Sequence, residues 1–122
     1  MTGVQTCALP ISRALSLARA GEHAQAAAAA EDLVKGNTSD ALYYGAARTF
    51  AVCAAAAKDD VKLREKYAAR AVALLTELQE EGYFDNANQA ARLKKDADLD
   101  PLRQRDDFRT LLAKIEKAPG GV

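Results

Sequence analysis

The chain has 122 residues, 49% hydrophobic and 28% charged, the balance of one globular domain with a core of modest size. Lysine plus arginine and aspartate plus glutamate each number 17, so the net charge is zero and no long-range field draws the chain to nucleic acid or to an anionic membrane surface. No apolar run long enough to span a bilayer is free of charge, and Cys7 and Cys53 are too few for a disulfide framework or a zinc site, which fits a reducing cytoplasm.

Residues 1–12 carry no charge and no helical apolar period, and Pro10 would interrupt a helix passing through them. They resemble the in-frame translation of a short-read sequencing adapter and lack the basic start and apolar core of a signal peptide. No fold is assigned to them, and the biological chain is expected to enter at about Arg13, in mid-domain. From Arg13 to Ala20, Leu15, Leu17 and Ala18 form a helix remnant that Gly21 stops as a left-handed terminator. A second helix, Glu22 to Lys35, carries the Ala26–Ala30 run, Leu33 and Val34, and Gly36-Asn37 closes it. Residues 13–35 therefore read as a truncated first hairpin whose alanine faces permit close approach.

Thr38 or Ser39 can cap the next helix, Ala41 to Ala57, which is apolar nearly all round, broken by little more than Arg48 and Thr49, and so must be sandwiched. Asp59 or Asp60 can cap the longest amphipathic segment, Val61 to Glu81, with Leu63, Tyr67, Ala71, Leu74, Leu75 and Leu78 on one side. Residues 39–81 are thus a second hairpin. Gly82 ends it, and Tyr83-Phe84 should staple the hairpin by burying two rings, worth about 1.5–3 kcal/mol each. In the third part, 85–117, Asp85 caps a short helix through Leu93, Asp100-Pro101 starts another, and a capping helix from about Asp106 places Phe108, Leu111, Leu112 and Ile115 on one face. Residues 118–122, with Pro119-Gly120-Gly121, are expected to be a disordered tail.

Thin hairpins stacked in series are the logic of a solenoid. Gly21-Glu22-His23-Ala24-Gln25-Ala26 with Ala30 resembles the turn and second helix of a tetratricopeptide repeat, and Tyr44-Gly45 with Tyr67 and Ala71 resembles parts of a longer second one. The segment Gly82-Tyr83-Phe84 through Leu93-Lys94-Lys95-Asp96-Ala97-Asp98-Leu99-Asp100-Pro101-Leu102-Arg103, then Asp107-Phe108 and Leu111-Leu112, is similar to the closing part of repeat regions behind bacterial serine/threonine protein kinase domains. The resemblance implies an all-α chain, residues 13–117, whose antiparallel hairpins stack as a short right-handed solenoid with a C-terminal capping helix. It departs from the family in having no Trp, no proline closing either repeat, and more than the usual spacing between His23 and Tyr67. No glycine-rich phosphate loop, His-Arg-Asp loop or Asp-Phe-Gly motif is present; Asp107-Phe108-Arg109 lacks the glycine.

The residues with chemical potential have plainer readings. His23, the one histidine, is read as a turn residue packed between helices, and Cys53 as a small buried hydrophobe. Asp96, Asp98 and Asp100 alternate as calcium ligands do, but no glycine or closing glutamate follows, so they read as caps and no metal is entered. Glu80 and Glu81 point about 100° apart on a helix and read as a solvated end, and Lys94-Lys95 is too short a basic run for nucleic acid. No catalytic residue and no cofactor is expected. The expected function is a monomeric, cytoplasmic, non-catalytic interaction or scaffolding module that holds a protein or peptide partner, with Tyr43 and Arg48 of the second hairpin as anchoring side chains and no nucleic-acid or membrane contact. The alternative is a helical accessory piece of another enzyme whose catalytic domain lies outside the chain.

Overall fold

The computed structural model describes residues 10–35, 40–57 and 59–117, and every regular element among them is helical. In chain order these are α1 (Pro10–Arg19), α2 (His23–Lys35), α3 (Asp40–Ala56), α4 (Val61–Glu80), a 3-10 turn (Tyr83–Asp85), α5 (Ala87–Lys95), a second 3-10 segment (Ala97–Leu102) and α6 (Asp106–Lys117). The expected closure at Gly36-Asn37, the Thr38 or Ser39 cap, residues 1–9 and the tail at 118–122 lie outside the described residues. No helix among the described residues is long and apolar enough to cross a membrane.

Local chemistry accounts for the boundaries. Gly21, at φ 90°, ends α1: its N–H donates to Ala18 O at 3.1 Å and the Glu22 N–H to Leu17 O at 2.9 Å, the paired bonds of a left-handed terminator. Of the two aspartates before α4, Asp60 is the cap, its carboxylate accepting the Leu63 N–H at 3.1 Å. Gly82 ends the hairpin with φ 86°. Three expectations shift. Helix α1 takes in residues 10–12, to which the sequence assigns no fold. Asn86 rather than Asp85 caps α5, because Asp85 is drawn into the 3-10 turn and the side chain of Asn86, whose backbone is extended, accepts from Asn88 N and Gln89 N. Asp96 rather than Asp100 opens the following segment: its carboxylate takes the Asp98 N–H at 3.0 Å, which leaves Pro101 inside the 3-10 segment and Asp100 paired with Arg103 at 2.8 Å.

Helix α3 is the hub, touching α1, α2, α4 and the Ala97–Leu102 segment. Its contacts with α1 and α2 are closed by methyl groups: Ala14 and Ala18 from α1, Ala26 and Ala30 from α2, and Ala46, Ala47, Ala51 and Ala54 from α3 are all buried. The larger side chains gather on its other side, where Phe50, Tyr67, Leu74 and Leu75 are covered. Thr49, the one fully buried polar side chain among the described residues, is satisfied within α3 by donating to Gly45 O at 2.9 Å. The aromatic staple forms: the Tyr83 and Phe84 rings lie 5.1 Å apart edge-to-face and both pack on Tyr44, at 6.1 and 6.3 Å. Leu93, Leu99 and Leu102 have no exposed surface, and α6 docks on α4 through Phe108, Leu111 and Ile115.

Candidate functional site

Two surfaces of this frame carry side chains that could act on another molecule. The first is a trough of about 620 Å³ between α2 and α4. Helix α2 turns Ala26, Ala30 and Val34 into the core, so Ala24, Ala27 and Ala28 are left toward α4 and their methyl groups are too short to fill the gap. Phe50 forms the floor, Leu63 and Tyr67 the far wall, and Lys66 stands exposed at the rim.

Polar ties cross the trough at each end. At one end His23 Nδ1 and Tyr67 Oη are hydrogen-bonded at 3.0 Å with their rings edge-to-face at 5.6 Å. At the other, Arg70 donates two bonds to the Glu31 carboxylate, at 2.8 and 2.9 Å. His23 and Glu31 are eight helical positions apart, so the open stretch is about 12 Å long, room for two or three apolar side chains of a peptide. Burial raises the Tyr67 phenol, with Cys53 and Asp60 adding to it. Cys53 sits below His23, its Sγ donating to the His23 carbonyl at 3.5 Å, and burial pushes the thiol up to about 12, far from a reactive thiolate.

The second surface is an ionic clasp between α3 and the 3-10 segment. Arg48 donates to Asp98 Oδ2 from Nη2 at 2.7 Å and from Nε at 3.1 Å, and its Nε lies 3.3 Å from Asp96 Oδ2. Arg19, from the end of α1, reaches the same Asp98 carboxylate at 2.9 and 3.1 Å. Tyr44 donates to Asp96 Oδ2 at 2.8 Å, the Arg92 guanidinium stacks 4.9 Å over the Tyr44 ring, and Arg103 Nη2 donates to the Asp96 carbonyl at 2.8 Å. Burial alone would raise Asp98, but Arg48 and Arg19 outweigh it and hold the carboxyl below its ordinary range; burial and the Asp96 bond raise Tyr44.

No protein-family model, curated protein or solved structure matches the chain. The two side chains that the sequence singles out are separated by the fold. They are five residues apart on α3 and so diverge by about 140° around its axis. Tyr43 packs partly against the core on the side of Arg70, whereas Arg48 turns to the 3-10 segment, where the chain's own carboxylates already occupy its donors. The aspartates read as caps do more than cap: Asp96 opens its segment and joins the clasp, and Asp98 is the acceptor shared by two arginines. Sequence reasoning missed Arg19 and Tyr44. The available signal was Arg48 itself, because a cation within an otherwise apolar, sandwiched helix requires a carboxylate from elsewhere in the chain. No group of three or more metal-ligating side chains with metal-site geometry occurs among the described residues.

Proposed function

We propose that the chain is a non-catalytic protein-interaction module of tetratricopeptide type, holding a peptide segment of a partner protein, and that it forms the C-terminal repeat region of a cytoplasmic bacterial serine/threonine protein kinase. The observation that carries the first half is the trough between α2 and α4, an open apolar channel with Lys66 at its rim and the Glu31–Arg70 ion pair at one end. The contacts of α3 with both helices of the preceding hairpin support a stacked repeat arrangement, with α6 docked on α4. The kinase attribution rests on the resemblance of residues 82–112 alone. Leu93, Leu99, Leu102, Phe108 and Leu111 of that stretch are all buried, so its apolar pattern serves the fold.

Selection of a displayed peptide library on the immobilised chain tests the interaction reading. Peptides with two or three spaced apolar side chains should emerge, and Ala28→Arg, a substitution at an exposed trough position, should abolish their binding while leaving the circular dichroism spectrum intact. Selection of no peptide, or binding indifferent to Ala28→Arg, refutes the trough as the site. The genomic reading frame that encodes residues 13–117 tests the kinase origin, which fails if that frame carries no kinase catalytic loop.

A further inference from the structure

The segment Asp96-Ala97-Asp98-Leu99-Asp100-Pro101-Leu102 lies on α3 as a bound peptide lies on a receptor. Its two leucines are wholly buried, and its first two carboxylates rest on arginines from two different helices, Arg19 of α1 and Arg48 of α3, with the Tyr44 hydroxyl beside them. Every one of these polar partners is 48 or more residues distant in sequence, so the clasp is a tertiary recognition event and not a local turn. Arg19 remains 55% exposed and stands at the edge of a hollow of about 470 Å³ between the ends of α1 and α3, lined by Ala18, Gly21, Val52 and Ala56. The recognised face therefore continues beyond the segment that now occupies part of it.

We infer that the α1/α3 face is a binding surface for an acidic, leucine-bearing segment of a partner protein, of the pattern Asp-x-Asp-Leu, and that Asp96–Leu102 is the chain's own occupant of that surface. Charge complementarity sets the partner's chemistry: without Asp96 and Asp98, the two guanidinium groups that now share the Asp98 carboxylate would face each other beside a leucine-sized apolar floor, an arrangement that an acidic, leucine-bearing segment relieves. A partner segment of the same pattern replaces each contact one for one. The internal segment competes at the effective concentration of a tethered ligand, so the face stays closed to outside peptides until the clasp is loosened. This inference shares with the interaction-module reading only the premise that a peptide is held; it concerns a different surface.

The test uses the full chain and a fluorescent peptide of sequence Lys95–Gln104, followed by anisotropy. The wild-type chain should bind weakly, and the Asp96→Asn/Asp98→Asn chain at least about tenfold more tightly, since apparent affinity scales with the fraction of open face. Adding Arg48→Gln to that chain, or replacing both peptide aspartates by asparagine, should remove the gain. Asp98→Asn alone keeps the Asp96 cap and both buried leucines, so it carries the same comparison if circular dichroism shows the double variant unfolded. Equal affinity for wild type and loosened chains, or a gain that survives Arg48→Gln, overturns the inference. A loosened chain that dimerises instead of binding the peptide assigns the face to a second copy and overturns it too. Trough peptides sensitive to Ala28→Arg alongside a silent acidic peptide would remove this inference and leave the trough standing.

Discussion

Phe108 holds α6 in place, and its removal should be the most damaging single truncation in the C-terminal third. The ring has no exposed surface and lies under the Arg103 guanidinium, 5.8 Å from its centroid. Phe108→Ala deletes the ring from a site that short 3-10 segments cannot collapse to fill, at a cost of about 3–5 kcal/mol. For a folded unit of about 105 residues, unfolding entropy is about 0.22 kcal/mol/K, so the melting temperature should fall by roughly 14–23 °C. Leu112, on the same helix but only partly buried, supplies the internal control: Leu112→Ala should cost about 1–2 kcal/mol, or roughly 5–9 °C. Thermal unfolding followed at 222 nm measures both. A Phe108→Ala shift no larger than that of Leu112→Ala would show that α6 does not depend on this ring and would undo the packing argument.

Asp98, drawn down by Arg48 and Arg19 against its burial, and Asp107, drawn down by Arg105, both titrate below their ordinary 3.8, so the unfolded chain takes up more protons near pH 4 than the folded one. Their stabilisation is complete above that pH and is lost as the pH falls through the folded-state values; melting temperature should be flat above about pH 5 and drop below about pH 4, with a shallower acid limb in Asp98→Asn. Gly21→Ala meets no atom within 4 Å, so its cost is that of a left-handed backbone alone, about 1–2 kcal/mol, whereas Gly82→Ala adds a contact 3.1 Å from the Asp85 carboxylate and should melt lower. A milder effect at Gly82 than at Gly21 contradicts this. Native Cys53 should resist thiol reagents at pH 8 and react on denaturation; rapid native labelling would place it elsewhere. Amide exchange should be slowest between residues 41 and 78, with α1 faster, and equal protection of α1 and α3 would count against α3 as the hub.

The helical segments could be read from the chain because their signals are local. Gly21 and Gly82 terminate helices by backbone freedom, Asp60 caps by a bond three residues long, and the Phe108, Leu111, Ile115 spacing declares one face of α6. Where several short polar residues compete, the local rules stop deciding: Asp85 and Asn86 are both good caps, and so are Asp96, Asp98 and Asp100. The choice falls to whichever lets Phe84, Leu93, Leu99 and Leu102 turn inward together, a condition set by α3 and invisible within a window of ten residues. The clasp was legible only from one side: Arg48 in an apolar helix calls for a carboxylate, but Arg19 and Asp98 are 79 residues apart, so no local window pairs them.

The alanine content that makes α1, α2 and α3 pack closely also explains why this small unit has surfaces to offer. A methyl group closes a helix interface only at short axial separation, and a helix held close to one neighbour is thereby held away from another. Helix α2 spends Ala26 and Ala30 on α3, so toward α4 its remaining alanines leave a gap that larger side chains would have filled, bridged by His23–Tyr67 and Glu31–Arg70. The same thinness on the α1 side leaves Arg48 of α3 within reach of the C-terminal segment, where leucines from outside the hairpins complete the core. Filling the trough from within should therefore stabilise the fold while removing its binding. Ala27→Leu, at a half-covered position with open volume beside it, is expected to raise the melting temperature by a few degrees and to abolish capture of trough peptides, whereas Ala30→Leu, at a closed position, should destabilise by about 1–3 kcal/mol through overpacking. Chemical denaturation of the two variants separates these outcomes, and destabilisation by Ala27→Leu equal to that by Ala30→Leu would show that the gap between α2 and α4 is not open space.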